Sequence, residues 1–260
     1  MRRLSAPLIS ALICTSFMAS LGFALVALPG CSSTPEADSG TPEGAYKLAE
    51  KYEKDERYEE AITQYSVVKN KHPYSKLATE AELRIAEIHF KREEYLEAQS
   101  AYQVFKEMHP SHPRIDSVTF RLGLSFFNQL PSTIDRDLSV AERAILYFDE
   151  VVNSFPKSGF VGEAKDDKQK ALKMLAEKEY YIGHFYFIRD HYESALGRFE
   201  DLLAKYPNLG YDAQALYGAT MSAYNIKELS KAKTYYQRLM TEFKDSHEAE
   251  KARRELGSNI

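Results

Sequence analysis

The sequence predicts an all-α protein, a solenoid of five stacked helix pairs with one long helix between the third pair and the fourth. Three observations predict it. An alanine followed four residues later by an aromatic recurs along the chain, as Ala61/Tyr65, Ala98/Tyr102, Ala144/Phe148, Ala195/Phe199 and Ala232/Tyr236. Residues four apart share one face of a helix, so each small side chain admits a neighbouring helix and each ring fills the space beside it. Eleven and twelve residues beyond the first four alanines stand His72-Pro73, His109-Pro110, Phe155-Pro156 and Tyr206-Pro207, with Phe243-Lys244 as a degenerate fifth copy. Proline stops a helix and forces the residue before it to be extended. Upstream of each alanine runs a second amphipathic segment.

The front of the chain is organised differently. Met1-Arg2-Arg3 is a short basic start, and Leu4 to Leu28 carries no charge. Such a run is long enough for a membrane-spanning helix, and its layout also describes a secretory signal peptide. Leu28-Pro29-Gly30-Cys31 decides between them. It resembles the lipobox of bacterial lipoproteins, in which cleavage falls before the cysteine and the thiol is acylated, although Pro29 is an uncommon occupant of its slot. The competing reading is an uncleaved anchor helix followed by a free cysteine. On the lipobox reading, residues 1–30 are the signal peptide and Cys31 carries the lipid. Residues 31–42 are then a flexible tether, too poor in apolar side chains to bury surface. Ser32 and Ser33 follow the cysteine where an aspartate would retain the protein in the inner membrane, which implies the periplasmic face of the outer membrane.

Cleavage removes Arg2 and Arg3 and no acids, leaving 32 basic residues from 34 against 38 acidic ones, and a formal charge of −6. That balance argues against nucleic acid, which needs clustered basic residues. With Cys31 acylated and Cys14 removed, no intrachain disulfide forms.

The upstream helices are predicted over Tyr46–Lys54, Ala78–Lys91, Asp116–Gln129, Glu163–Arg189 and Ala213–Ile226, joined to their partners by polar turns such as Asp55-Glu56-Arg57. The pattern resembles the tetratricopeptide repeat. The fourth copy matches best, with Ile182, Gly183, Tyr186, Tyr192, Ala195, Phe199 and Pro207 in consensus spacing. The marker alanines lie 37, 46, 51 and 37 residues apart, against 34 for the usual repeat. Two excesses explain the difference. Gln129–Asp137 is an inserted loop within the third repeat, and VGEAKDDKQKALKML extends the next helix by about four turns. Repeats one to three therefore occupy residues 43–158, repeats four and five residues 159–250, and a charged tail residues 251–260.

No catalytic or cofactor motif emerges. The two histidines of His109-Pro-Ser-His112-Pro113 lack a cysteine or carboxylate pair to complete a metal site and read as a rigid inter-repeat turn. There is no phosphate-binding glycine loop, no Gly-x-Ser-x-Gly elbow and no HExxH. The only covalent group implied is the lipid on Cys31. The first helices instead carry a stripe expected to line an inner groove. It contains Tyr46 in repeat one, Leu83 and Phe90 in repeat two, and Phe120, Leu124 and Phe127 in repeat three, with Glu43, Glu50, Glu80 and Glu87 between them. Repeats four and five continue it with Tyr180, His184, Phe187, Tyr217, Met221 and Tyr224. An aromatic groove with acidic residues at one end suits an extended peptide bearing aromatic side chains. The alternative is that curvature closes the groove and the rings pack on one another.

Four segments narrow the resemblance: FKEMHPSHPRID (105–116), RLGLSFF (121–127), Asp135-Arg136-Asp137, and Leu175 to Pro207. They resemble the BamD family, the tetratricopeptide lipoproteins of the β-barrel assembly machinery. The resemblance implies that the N-terminal repeats receive unfolded outer-membrane proteins through aromatic-rich C-terminal signals. It implies that the C-terminal repeats dock the POTRA domains of a BamA-like barrel subunit, with Arg198 at the family's partner-facing position. Accessory Bam lipoproteins are further partners it implies, although Lys244 in place of a last proline and the charged tail depart from the family there. A periplasmic tetratricopeptide adaptor for cell-wall or envelope-division enzymes shares the signal and repeats but not the Asp-Arg-Asp loop. A hydrolase carrying such repeats lacks a nucleophile and base.

Overall fold

The computed structural model describes residues 40–257 and Ile260. The expected signal peptide over 1–30, Cys31 and residues 32–39 of the expected tether lie outside the described residues. Among the described residues there are eleven helices and no strand: α1 (Pro42–Lys54), α2 (Tyr58–Lys71), α3 (Lys76–Lys91), α4 (Tyr95–Met108), α5 (Ile115–Phe127), α6 (Ser139–Ser154), α7 (Val161–Phe187), α8 (Tyr192–Lys205), α9 (Asp212–Asn225), α10 (Leu229–Glu242) and α11 (His247–Leu256). The five predicted pairs are α1/α2, α3/α4, α5/α6, α7/α8 and α9/α10. Each helix packs on the next, and first helices of successive pairs also touch at α1/α3, α5/α7 and α7/α9.

Local chemistry sets the ends. Thr41 caps α1, its Oγ1 accepting the Gly44 N–H at 3.1 Å, and Pro42 starts the helix where no N–H is needed. Every second helix stops on one backbone shape: His72, His109, Phe155, Tyr206 and Phe243 have φ of −130, −129, −125, −132 and −134°. Phe243 keeps it without a following proline, so packing rather than proline alone holds the turn. Within four of the pairs the turn passes through a left-handed residue that is not glycine, at Glu56, Glu93, Asp190 and Lys227. The third pair replaces that turn with the inserted loop, pinned by buried Leu138.

The marker alanines are all fully buried, as are Tyr65, Tyr102 and Phe148, and Phe199 is 1 % exposed. First helices meet these rings through small residues. A methyl added at Gly123 would lie 2.9 Å from Phe148 Cε1, and one at Gly183 2.8 Å from Phe199 Cε1. Gly218 of α9 presses on the other edge of the same Phe199 ring more closely still. Phe199 is therefore a wedge between two first helices that can approach it only without a Cβ.

α7 is 27 residues long, about 40 Å of helix. Its first half closes the Phe148–Val151–Ala164 core of the third repeat, and its second half opens the Ala195–Phe199–Ala219 core of the fourth and fifth. The charged tail expected over 251–260 begins inside α11. There Ala249, Ala252 and Leu256 are buried at helical spacing, the two alanines packed with Leu216 and Leu239, and Ser246 caps the helix through the Ala249 N–H at 3.1 Å. The segment is a helix closing the end of the stack.

Gly218→Ala is expected to lower stability by about 1–3 kcal/mol through overpacking against Phe199. Gly197→Ala, in α8 with nothing within 4 Å of a new methyl, is expected to raise it by about 0.5–1 kcal/mol through helix propensity. Thermal unfolding of the two variants beside the parent measures both signs.

Candidate functional site

Across the first helices of repeats one to three runs a ladder of alternating charges. The Tyr65 hydroxyl donates to Glu53 Oε2 at 2.9 Å. Arg84 donates to Glu53 at 2.6 Å and to Glu87 at 2.9 Å. Arg114 donates to the other oxygen of Glu87 at 3.1 Å and to Glu80 at 2.7 Å. His112 Nε2 lies 3.3 Å from Glu80, while His109 pairs with a different carboxylate, Glu82, at 2.7 Å. Six side chains thus tie α1, α3 and the start of α5 together. Each ion is half-buried, and each has two partners or a hydroxyl to offset its desolvation.

Burial works against the Arg84 charge, but the Tyr65 hydroxyl, Glu53 and Glu87 outweigh it and hold the guanidinium above its ordinary pKa. Burial, opposed in part by Arg84, pushes the Tyr65 hydroxyl up as well.

Two adjoining clefts open beside this ladder, of 590 and 330 Å³, sharing Glu53, Arg84 and Lys91. The larger is bounded by Phe90, Tyr95 and Arg121. Phe90 meets Tyr95 and Tyr102 edge-on, with centroids 5.6 and 6.4 Å apart. The Arg121 guanidinium stands 5.1 Å over the Phe90 ring and forms no ion pair among the described residues. The groove therefore offers one apolar platform, three cations without a carboxylate partner among the described residues (Arg121, Lys91 and Lys54), and a floor of compensated charges.

The predicted stripe is partly displaced. Leu83 is 2 % and Phe120 3 % exposed, so both belong to the core and have no surface for a ligand. Phe120 stacks on Phe160 at 5.0 Å and tilts against Phe148. Tyr46 packs edge-on against Tyr65 at 5.2 Å, and Phe127 against Phe148 at 6.2 Å, each half-buried. Leu124 is half-buried on the same core, and Phe90 alone of the six lines the clefts. The groove edge of α3 is Glu80, Arg84, Glu87 and Lys91, one residue and about 100° from the Leu83 edge. Its i, i+4, i+7, i+11 spacing of alternating charge was visible in the sequence. Arg121 carried no such sign.

In the C-terminal repeats the corresponding face is covered. Only 130 Å³ remains among Tyr180, His184, Phe187 and Tyr217, where His247, Glu248 and Lys251 of α11 close over it. The Tyr217 hydroxyl donates to Glu255 at 2.7 Å, and Lys251 lies 4.6 Å over the Tyr217 ring. Arg198, on α8, donates to Glu179 of α7 at 3.2 Å with its side chain 42 % exposed. In the Asp-Arg-Asp loop, Asp137 accepts the N–H and hydroxyl of Ser139 at 2.9 and 2.8 Å and so caps α6. Those bonds hold its carboxyl below the usual range. The Arg136 carbonyl accepts Lys178 Nζ of α7 at 2.6 Å, fastening the loop to the long helix.

Stacked helix pairs with a charged groove across their first helices define a tetratricopeptide-repeat scaffold. Residues 38–239 match the family described as outer membrane lipoprotein, YfiO, and the chain belongs to that family. It is 27 % identical to the outer membrane protein assembly factor BamD of Neisseria gonorrhoeae over 213 residues, 76 % of this chain and 79 % of the relative. It is 26 % identical to the BamD of Xylella fastidiosa over 230 residues, 83 % and 79 % of the two chains. Among solved structures, the TPR2AB domain–pHSP90 complex of yeast Sti1 aligns at 14 % identity over 80 % of each chain, with a TM-score of 0.40.

Tyr65→Phe removes the bond to Glu53 and is expected to cost about 1 kcal/mol. Tyr102→Phe removes a buried hydroxyl that has no hydrogen-bond partner, and stability is expected to hold or rise. Urea denaturation of both variants distinguishes a loss from a gain.

Proposed function

We propose that this protein is a non-enzymatic scaffold of outer membrane protein assembly, held on the periplasmic face of the outer membrane by a lipid on Cys31. The observation that carries the reading is the family match over residues 38–239, with relatives named as outer membrane protein assembly factors. No helix among the described residues is long and apolar enough to cross a membrane. A scaffold of this kind needs rigid elements that present two surfaces, and α7 supplies one spine shared by both halves of the stack.

In this reading the groove of repeats one to three takes an extended segment of an unfolded outer-membrane protein. Phe90 offers an apolar platform to an aromatic side chain. Arg121, without a carboxylate of its own, is placed to meet an acidic group of that segment. Tyr46, Leu124 and Phe127 support the groove from beneath. Arg198 serves a BamA-like barrel subunit, whose POTRA domain exchanges one of its carboxylates for Glu179. An exchange of ion pairs changes specificity and on-rate more than affinity. Accessory lipoproteins join the same assembly.

Two measurements test this. Metabolic labelling with an alkyne palmitate is expected to tag the parent and not Cys31→Ser. From membranes in mild detergent, a POTRA-containing barrel protein is expected to copurify with the parent and to fall severalfold with Arg198→Glu. Equal recovery in both would remove Arg198 from the interface. Recovery of cell-wall enzymes in its place would overturn the assembly role in favour of an envelope adaptor.

A further inference from the structure

A mainly apolar opening lies away from the charged groove, between the second helices α2 and α4. It holds 520 Å³, floored by Ile85, Ala101 and Phe105. Along its α4 wall Leu96, Ser100 and Val104 stand four residues apart, and Met108 continues the same ridge of the helix beyond the cleft. Its three large members are 61, 54 and 70 % exposed. The same gap one repeat later is closed by side chains. Tyr147 donates to Gln103 at 3.0 Å and Lys106 pairs with Glu150 at 2.7 Å across α4 and α6. The array can therefore fill this position and at α2/α4 does not.

The walls carry opposite charges. Lys69 stands on α2 and Glu97 on α4, and neither has a hydrogen bond or ion pair among the described residues. Glu82, also at the cleft, is already taken by His109. An exposed ridge of one helix is the surface that another helix packs against. We infer that the α2/α4 cleft docks a short amphipathic helix of a partner protein. Apolar residues at i, i+3 or i+4, and i+7 of that helix enter the cleft, an acidic residue faces Lys69 and a basic residue faces Glu97. The ridge from Leu96 to Met108 is about 18 Å long, which a helix of about twelve residues covers. This surface is separate from both the inner groove and Arg198, and stands or falls independently of their roles.

A library of displayed 16-residue peptides, panned against the full-length mature protein in detergent, tests the assignment. The expected consensus has apolar residues at helical spacing with one acidic and one basic flank. Binding is expected to weaken about tenfold or more with Val104→Asp, which puts a charge in the apolar contact. The double variant Lys69→Glu/Glu97→Lys is expected to select the reverse arrangement of flanking charges. Because all three positions are on the surface, unchanged thermal midpoints separate loss of binding from loss of fold. An alternating i, i+2 consensus would replace the helix with an extended strand and overturn the proposal. So would charge preferences that ignore the reversal, affinity that ignores Val104→Asp, or no enrichment. A dimer in sedimentation that Val104→Asp dissolves would assign the cleft to a second copy instead.

Discussion

How near two helices can come depends on the smallest side chain between them, and in this solenoid that distance is set by an aromatic ring meeting alanine or glycine. Phe148 fits because Gly123 leaves room for it, and Phe199 because Gly183 and Gly218 leave room on both of its edges. A ring held on two sides permits little sliding, since interiors pack at the density of organic crystals. Each second helix consequently enters and leaves its pair at nearly the same place. The five closely matched backbone turns at His72, His109, Phe155, Tyr206 and Phe243 are a result of that repetition.

Upon this frame the two halves treat their first-helix faces differently. The N-terminal face is polar and open, and its carboxylates and guanidiniums neutralise one another across three repeats. The C-terminal face is aromatic and closed, because α11 lays His247, Glu248 and Lys251 over it. In the N-terminal groove the groups left outside that compensation are Phe90, Arg121, Lys91 and Lys54. Arg198 stands on α8, paired with Glu179 of α7. α7 and the loop fastened to it through Lys178 join the halves through one continuous helix, so a load on one repeat set reaches the other through a rigid element.

Much of this was legible in the chain itself. Helix pairs, the inserted loop, the long α7 and the buried alanines follow from local rules of spacing and capping, which operate within a dozen residues and do not depend on what packs where. The lipobox reading and its tether belong to residues outside those described and rest on the sequence alone. Two expectations gave way, each for its own reason. Leu83 and Phe120 lie beside the polar stripe of their helices, and a helix rotated by one residue moves a side chain by about 100° from groove to core. The charged tail begins within α11 because Ala249 and Ala252 found a buried face against Leu216 and Leu239.

By itself, then, the sequence determined the fold class, the number and order of the helix pairs, and the absence of a recognisable catalytic motif, because periodicity and turn chemistry are local. Only the tertiary structure decided which edge of each helix faces the groove, that Arg84 and Arg114 link three repeats into one ladder, and that α11 closes one end while the α2/α4 cleft stays open. Those outcomes join residues some thirty to forty positions apart, such as Arg84 with Glu53 and Tyr217 with Glu255. Contacts at that separation are set by the angle at which packed helices cross, which no single helix encodes.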